Sequence, residues 1–214
     1  MFNRTMESSE EWDRRFKKNG YVWGETESPT ALESIKYLKP KSKILDVGCG
    51  YGRDCKFFIE QGFDVVGLDS SGEAIKLAEE FVPDGTFIKA DATNMPFQDQ
   101  AFDVVFSHLF MHLLYRDDVR RKFLKECERV LRPGGLIIQS FFSTDDSTFG
   151  EGEEVALRTF YVKRKARIGR FFEEDEVRSD FSDFETIELK KLSEEHTHGS
   201  PHTHVYWFIV AKKL

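Results

Sequence analysis

Asp46, Gly48, Gly50 and Gly52 fall within seven residues, at the end of the short apolar run that begins at Ile44. Glycine at alternate positions removes Cβ where a strand turns sharply into a helix and where a ligand lies against the main chain. The helix that follows, starting near Arg53, offers unpaired N–H groups at its N-terminus. This is the chemistry of a nucleotide-type binding loop. A dinucleotide loop needs G-x-G-x-x-G, and the third glycine position is taken by Arg53 or Cys55 according to frame. A P-loop fits less well, because no Gly-Lys-Ser/Thr follows. Asp46 decides the charge: a carboxylate two residues before the loop repels a pyrophosphate and suits a cation.

S-adenosylmethionine (SAM) is such a ligand, with an ammonium, a sulfonium and no phosphate. Asp46-Val47-Gly48-Cys49-Gly50-Tyr51-Gly52 resembles motif I of the class I SAM-dependent methyltransferases. Further marks follow in that family's order. Asp91-Ala92 resembles its adenine contact. Ala101 to Ser107 resembles its fourth strand, an apolar-Asp-apolar run ending at a small residue under the cofactor. Leu131-Arg132-Pro133-Gly134-Gly135 resembles the turn before its fifth strand. The resemblance covers residues 43–142. It implies an α/β Rossmann-like fold, with a seven-stranded mostly parallel sheet, an antiparallel last strand and helices on both faces. It implies SAM as cofactor and S-adenosylhomocysteine as product, with Asp46, Gly48, Cys49, Gly50, Gly52, Asp69, Ser70, Asp91, Ala92 and Ser107 as cofactor contacts. The short chain and the Tyr21-Val22-Trp23-Gly24 opening look most like the tellurite-resistance and thiol branch, which acts on small molecules.

The elements that must position these residues are legible as an alternation. Strands are expected at Lys43–Val47, Phe63–Leu68, Thr86–Lys89 and Ala101–Ser107, with helices through about Gln61 and from Ser71 to Phe81. Acids at 46, 69 and 91 close three of these strands about one βα unit apart, and ligands of parallel sheets sit at such carboxyl ends. Asp69 stands where an acid accepts from both ribose hydroxyls of an adenosine. A helix at Asp117–Val130 and a strand at Leu136–Phe142 follow. The last third reads as a polar loop from Ser143 to Gly152, a basic run at 163–170, a short helix from Phe172 to Ser179, and two edge strands, Phe184–Leu192 and Val205–Lys212. Residues 1–42 read as a helical lid segment, with a helix at Ser8–Lys18 and another capped by Ser28 that runs to Leu38. Residues 43–214 read as the SAM-binding domain, with no linker to a second domain.

Composition bounds the partners. A net charge of −7 over 214 residues disfavours a general nucleic-acid surface or an anionic membrane surface. Cys49, Cys55 and Cys127 show no zinc spacing and leave no disulfide framework. No apolar run spans a membrane and no leader pattern opens the sequence, so a cytoplasmic protein with a small-molecule substrate is expected. The oligomeric state is not written in the sequence.

Acceptor chemistry is less constrained. His108 and His112, after the fourth strand, lie where family members place substrate contacts, and each could pack, cap or act as general base. Tyr21 and Trp23 either pack the lid or rim the substrate site. His196, His198, His202 and His204 crowd the turn between the last two strands. With a three-residue loop at 199–201, His198 faces His202 and His196 faces His204, and all four rim the site, bind a transition metal, or form a solvated turn. The expected activity is methyl transfer by in-line displacement to a small molecule. The competing readings are a non-catalytic SAM-binding regulatory or scaffold module, and an enzyme that methylates protein or RNA.

Overall fold

The computed structural model describes residues 8–163, 167–196 and 202–214. Strands β1 (Lys43–Val47), β2 (Asp64–Asp69), β3 (Thr86–Lys89), β4 (Phe102–Ser107) and β5 (Leu131–Phe142) alternate with helices α3 (Arg53–Glu60), α4 (Gly72–Phe81) and α5 (Asp117–Val130). The hairpin of β9 (Phe184–His196) and β10 (His202–Lys213) completes a seven-stranded sheet in the order β3-β2-β1-β4-β5-β10-β9. Only β10 is antiparallel to its neighbours. This is the expected Rossmann-like architecture. Because β9 runs in the sense of β5, the end of β9 and the start of β10 fall at the carboxyl edge, on the side where β1, β2 and β4 end.

The core lies on both faces of the sheet, which is why its central strands read as unbroken apolar runs rather than alternations. Leu45, Val105 and Ile137 enter one buried cluster, with Phe123 and Leu124 of α5. Their neighbours Ile44, Val104 and Ile138 enter the other, with Phe58 of α3. Helix α1 (Ser9–Asn19) begins in a capping box between Ser8 and Glu11. It docks on the start of α4, where Asp13 accepts from the Ser71 hydroxyl at 2.6 Å and the Glu73 amide at 3.1 Å. Helix α2 (Pro29–Ser34) is capped by Ser28 as expected, but ends early and tightens into a 3-10 turn at Ile35–Tyr37.

Three segments differ from expectation. Strand β5 starts at Leu131, and the Pro-Gly-Gly stretch is carried within it as an irregularity between the Phe102–Leu131 and Val104–Leu136 pairs. A Cβ on Gly135 would stand 2.9 Å from the Asp103 carbonyl, so the β4–β5 crossing needs glycine there. After the polar loop, where the sequence marks only the basic run at 163–170, stands a second, three-stranded antiparallel sheet: β6 (Glu153–Ala156), β7 (Thr159–Val162) and β8 (Arg167–Arg170). Its four-residue strands are too short to show a period. The last helix, α6, spans Glu174–Asp180, while Phe172 is fully buried in the core. Among the described residues no helix is long and apolar enough to cross a membrane.

Candidate functional site

A cleft of about 820 Å³ opens along the carboxyl edge of the sheet. Its floor at one end is the turn between β1 and α3. Gly48, Gly50 and Gly52 all have positive φ, at 73°, 55° and 80°. A Cβ on Gly48 would lie 2.5 Å from Phe110 Cδ2, and one on Gly50 would lie 3.4 Å from Phe16. Asp69, at the end of β2, holds the loop open: its carboxylate accepts from the Gly50 amide at 3.0 Å and from the Ser71 amide at 2.9 Å.

Asp46, Gly48, Cys49, Gly50, Asp69 and Ser70 all line this cleft, as expected. Asp54, on the first turn of α3, joins them and was not singled out from the sequence. It accepts from the Ser28 amide at 2.7 Å and the Ser28 hydroxyl at 2.8 Å, tying the start of α2 to the site. Burial raises the carboxyls of Asp46 and Asp54 above the usual range, and for Asp46 the charge of Asp54 adds to it. Asp69 is raised by burial too, against the lowering effect of its amide donors. The Cys55 thiol donates to Asp46 at 3.2 Å. Three crowded acids make this end of the cleft a site for positive charge.

Other expected contacts stand apart from the cleft. Asp91 is exposed and accepts from the amide and hydroxyl of Thr93, capping its own turn, and Ala92 is buried in the core. Ser107 is fully buried under the sheet edge, donating to Gln139 at 2.6 Å. Gly52 supports the loop from behind, where a Cβ would press within 3.0 Å of Phe87.

The lid segment closes over the loop. Tyr51 is the hook: its hydroxyl donates to the Gly24 carbonyl at 2.6 Å and accepts from the Trp23 amide at 3.1 Å. Trp23 lines the cleft beside Trp12 and Phe16. Tyr21 does not line it, and packs instead on Tyr51 and Phe81, with ring centroids 5.2 and 5.1 Å away.

The far end of the cleft gathers His108, His112 and His204 with Phe142, Arg167, Glu151 and Glu194. His108 Nδ1 sits 2.7 Å from the Thr30 hydroxyl and 3.0 Å from that of Ser140. His112 packs on Phe142 at 4.4 Å, and burial pushes its pKa down to about 3, so it stays neutral. A group with that pKa is a poor proton acceptor near neutrality. The basic run is divided: Arg167 lines the cleft, whereas Arg170 is buried against Glu176. In the hairpin the register pairs His196 with His202 and His204 with Glu194, not His198 with His202 and His196 with His204. The side chains of His196 and His202, and residues 197–201 with His198, lie outside the described residues. Among the described residues no three His, Cys, Asp or Glu side chains converge as a metal site.

Residues 45–139, which carry the glycine loop and the sheet from β1 into β5, match the family model of the methyltransferase domain. Over that stretch, less than half of the chain, the protein is similar to a methyltransferase domain. The chain is 35% identical over 135 residues to a demethylmenaquinone methyltransferase of Thermotoga maritima, spanning 62% of this chain and 56% of that one. It thus spans little more than half the length of that relative. A SAM-dependent methyltransferase of Methanosarcina mazei shares the fold, with a TM-score of 0.77 at 23% identity over 88% of this chain and 99% of that one. So does the 1,6-didemethyltoxoflavin-N1-methyltransferase of Burkholderia thailandensis, solved with its substrate and S-adenosylhomocysteine. There the TM-score is 0.71 at 22% identity, over 96% and 86% of the two chains. The family match ends inside β5, and the fold comparisons cover 88% and 96% of the chain.

Proposed function

We propose that the cleft binds SAM and that the protein transfers its methyl group to a small molecule held at the histidine end. The observation that carries this is the loop held open by Asp69. Gly48 and Gly50, having no Cβ, let Phe110 and Phe16 come against the main chain, and the loop lines the same cleft as Asp46, Asp54 and Asp69. The donors fit a cofactor that is cationic at its methionyl end and carries ribose hydroxyls. Asp46 and Asp54 supply charge for the ammonium and sulfonium, and Asp69 supplies the acceptor for the hydroxyls. When bound, the cofactor supplies an electrophilic methyl group. The protein's task is then to align the acceptor and exclude water. The lid hooked by Tyr51 serves the second purpose, covering the loop with Trp23 and Phe16. The cleft's size and the net charge of −7 favour a small acceptor over a nucleic acid.

Calorimetric titration with SAM, S-adenosylhomocysteine and NAD tests the binding half. The expected result is binding of the first two and none of NAD. Turnover of labelled SAM against thiols, amines, hydroxyls, carboxylates and chalcogen oxyanions tests the transfer half. Tight SAM binding without any labelled product would support the non-catalytic module.

A further inference from the structure

Asp146 lies in the segment the sequence marks only as polar loop, yet its side chain is fully buried. It is held from three sides. Oδ1 accepts from the Thr148 amide at 2.9 Å and the Thr148 hydroxyl at 2.5 Å, and Oδ2 accepts from the Val205 amide at 2.8 Å. The remaining contact is to His204, whose Nδ1 stands 2.9 Å from Oδ2. Burial acts to raise the Asp146 carboxyl, but the His204 and Thr148 hydrogen bonds outweigh it and hold the group below its usual value. An ionised carboxylate fixed on Nδ1 sets the imidazole tautomer, makes Nε2 the basic nitrogen, and stabilises the imidazolium that forms when Nε2 takes a proton. His204 lines the cleft, tilted on Phe142 at 4.9 Å, with His112 on the same phenyl ring.

We propose that His204, oriented by Asp146, is the general base that takes the proton from a hydroxyl or amine acceptor as it is methylated. This rests on the methyltransferase reading above and deepens it. The acceptor's oxygen or nitrogen lone pair forms a bond to the methyl carbon. The carbon–sulfur bond breaks, and its electron pair stays on sulfur, turning the sulfonium into a neutral thioether. The acceptor's proton passes to Nε2 of His204, and leaves to solvent with the product. The other two histidines are less suited. His112 is held neutral in the core, and His108 has Nδ1 between two hydroxyls with Nε2 4.0 Å from Glu194. Their place is to receive and orient the acceptor. Among the described residues, the charged and titratable groups around His204 include Asp146 on its Nδ1, Glu194 opposite it on β9, and His112, Arg167 and Glu151 at the same end of the cleft.

The test exploits acceptors that differ in whether a proton must be removed. Methylation of phenol, benzylamine, para-nitrophenol and thiophenol is measured with labelled SAM at about pH 8, where the last two are already ionised. In His204→Gln, kcat for phenol and benzylamine should fall by about 100-fold, while the ionised acceptors change by less than about threefold. SAM affinity should hold within about threefold. His204→Asn gives a second chance at a folded variant without a base, and Asp146→Asn should show the same pattern with a smaller loss. Equal losses on all four acceptors would mean that His204 only shapes the site, and an unchanged rate with phenol and benzylamine would mean that it is not the base. Wild-type protein that binds SAM yet methylates only thiophenol, or none of the four, overturns the assignment and leaves the cofactor site standing. Failure to bind SAM removes both readings together.

Discussion

Tyr51 and Trp23 join the glycine loop to the lid: the Trp23 amide donates to the Tyr51 hydroxyl at 3.1 Å, and their rings stack at 6.1 Å with 13° between planes. Tyr51 is a residue of the cofactor loop itself, almost fully buried. Closure of the lid and shape of the loop are therefore one structural variable. Tyr51→Phe keeps the ring packing and removes both hydrogen bonds of the hydroxyl. It should weaken SAM binding by about 1–2 kcal/mol, mainly through faster release, with amide exchange accelerated around residues 22–24. Stopped-flow release and hydrogen exchange check this. Unchanged release would show that the lid is held by its aromatic packing alone.

Gly48→Ala should cost about 1–3 kcal/mol of stability, because the new methyl must displace the half-buried Phe110 at a backbone angle that disfavours a side chain. Gly62 has a similar φ of 84° but nothing within 4 Å of a Cβ. Gly62→Ala should cost only the backbone strain, about 1 kcal/mol. Urea unfolding of the two variants separates crowding from strain, and equal costs would remove the Phe110 contact from the account.

Asp69→Ala removes the acceptor of the Gly50 and Ser71 amides together with the proposed ribose contact. SAM affinity should fall by about 1.5–3 kcal/mol, the cost of leaving polar groups unpaired. Titration of the folded variant with undiminished affinity would take Asp69 out of the site.

Asp46 gives a pH dependence whose sign is set by its raised pKa. The folded state holds its proton to higher pH than the unfolded chain does, so the native state binds more protons from the ordinary carboxyl value of 3.8 upward. That contribution is fully present below pH 3.8 and is lost as pH rises through the elevated folded value. Asp46→Asn, which still offers an acceptor to Cys55, should therefore raise the melting temperature of the cofactor-free protein at pH 7 while weakening SAM. A lower melting temperature there would mean that the ionised carboxylate is stabilised by the fold.

His112 works in the opposite direction. Its pKa of about 3 in the folded protein against 6.5 unfolded means that the unfolded chain binds more protons between those values. Stability is then complete above pH 6.5 and falls as pH drops toward 3. His112→Phe should flatten that part of the stability profile. An acid limb of unchanged steepness, followed by circular dichroism, would assign it to other groups.

The sequence alone determined the alternating architecture, the glycine loop and the acids at the ends of β1 and β2. Those features are local: a strand, its turn and the next helix are read within a dozen residues, and backbone sterics give glycine spacing a meaning independent of the rest of the chain. The antiparallel last strand was implied by the family resemblance, and the sheet has it. What the sequence left undecided depended on register and on long-range contact. The hairpin register put His204 opposite Glu194, and only the loop after β5 brought Asp146, 58 residues earlier, onto its ring. His108 and His112 looked equivalent as a pair four apart, yet a short 3-10 turn at Met111–Leu113 buries one beside Phe142 and leaves the other among hydroxyls. Asp69 ends β2, whereas Asp91 lies two residues past the end of β3 and its carboxylate is taken up by Thr93. Charge, burial and hydrogen-bond partner are properties of a position in space, and for these four residues the tertiary structure supplied them.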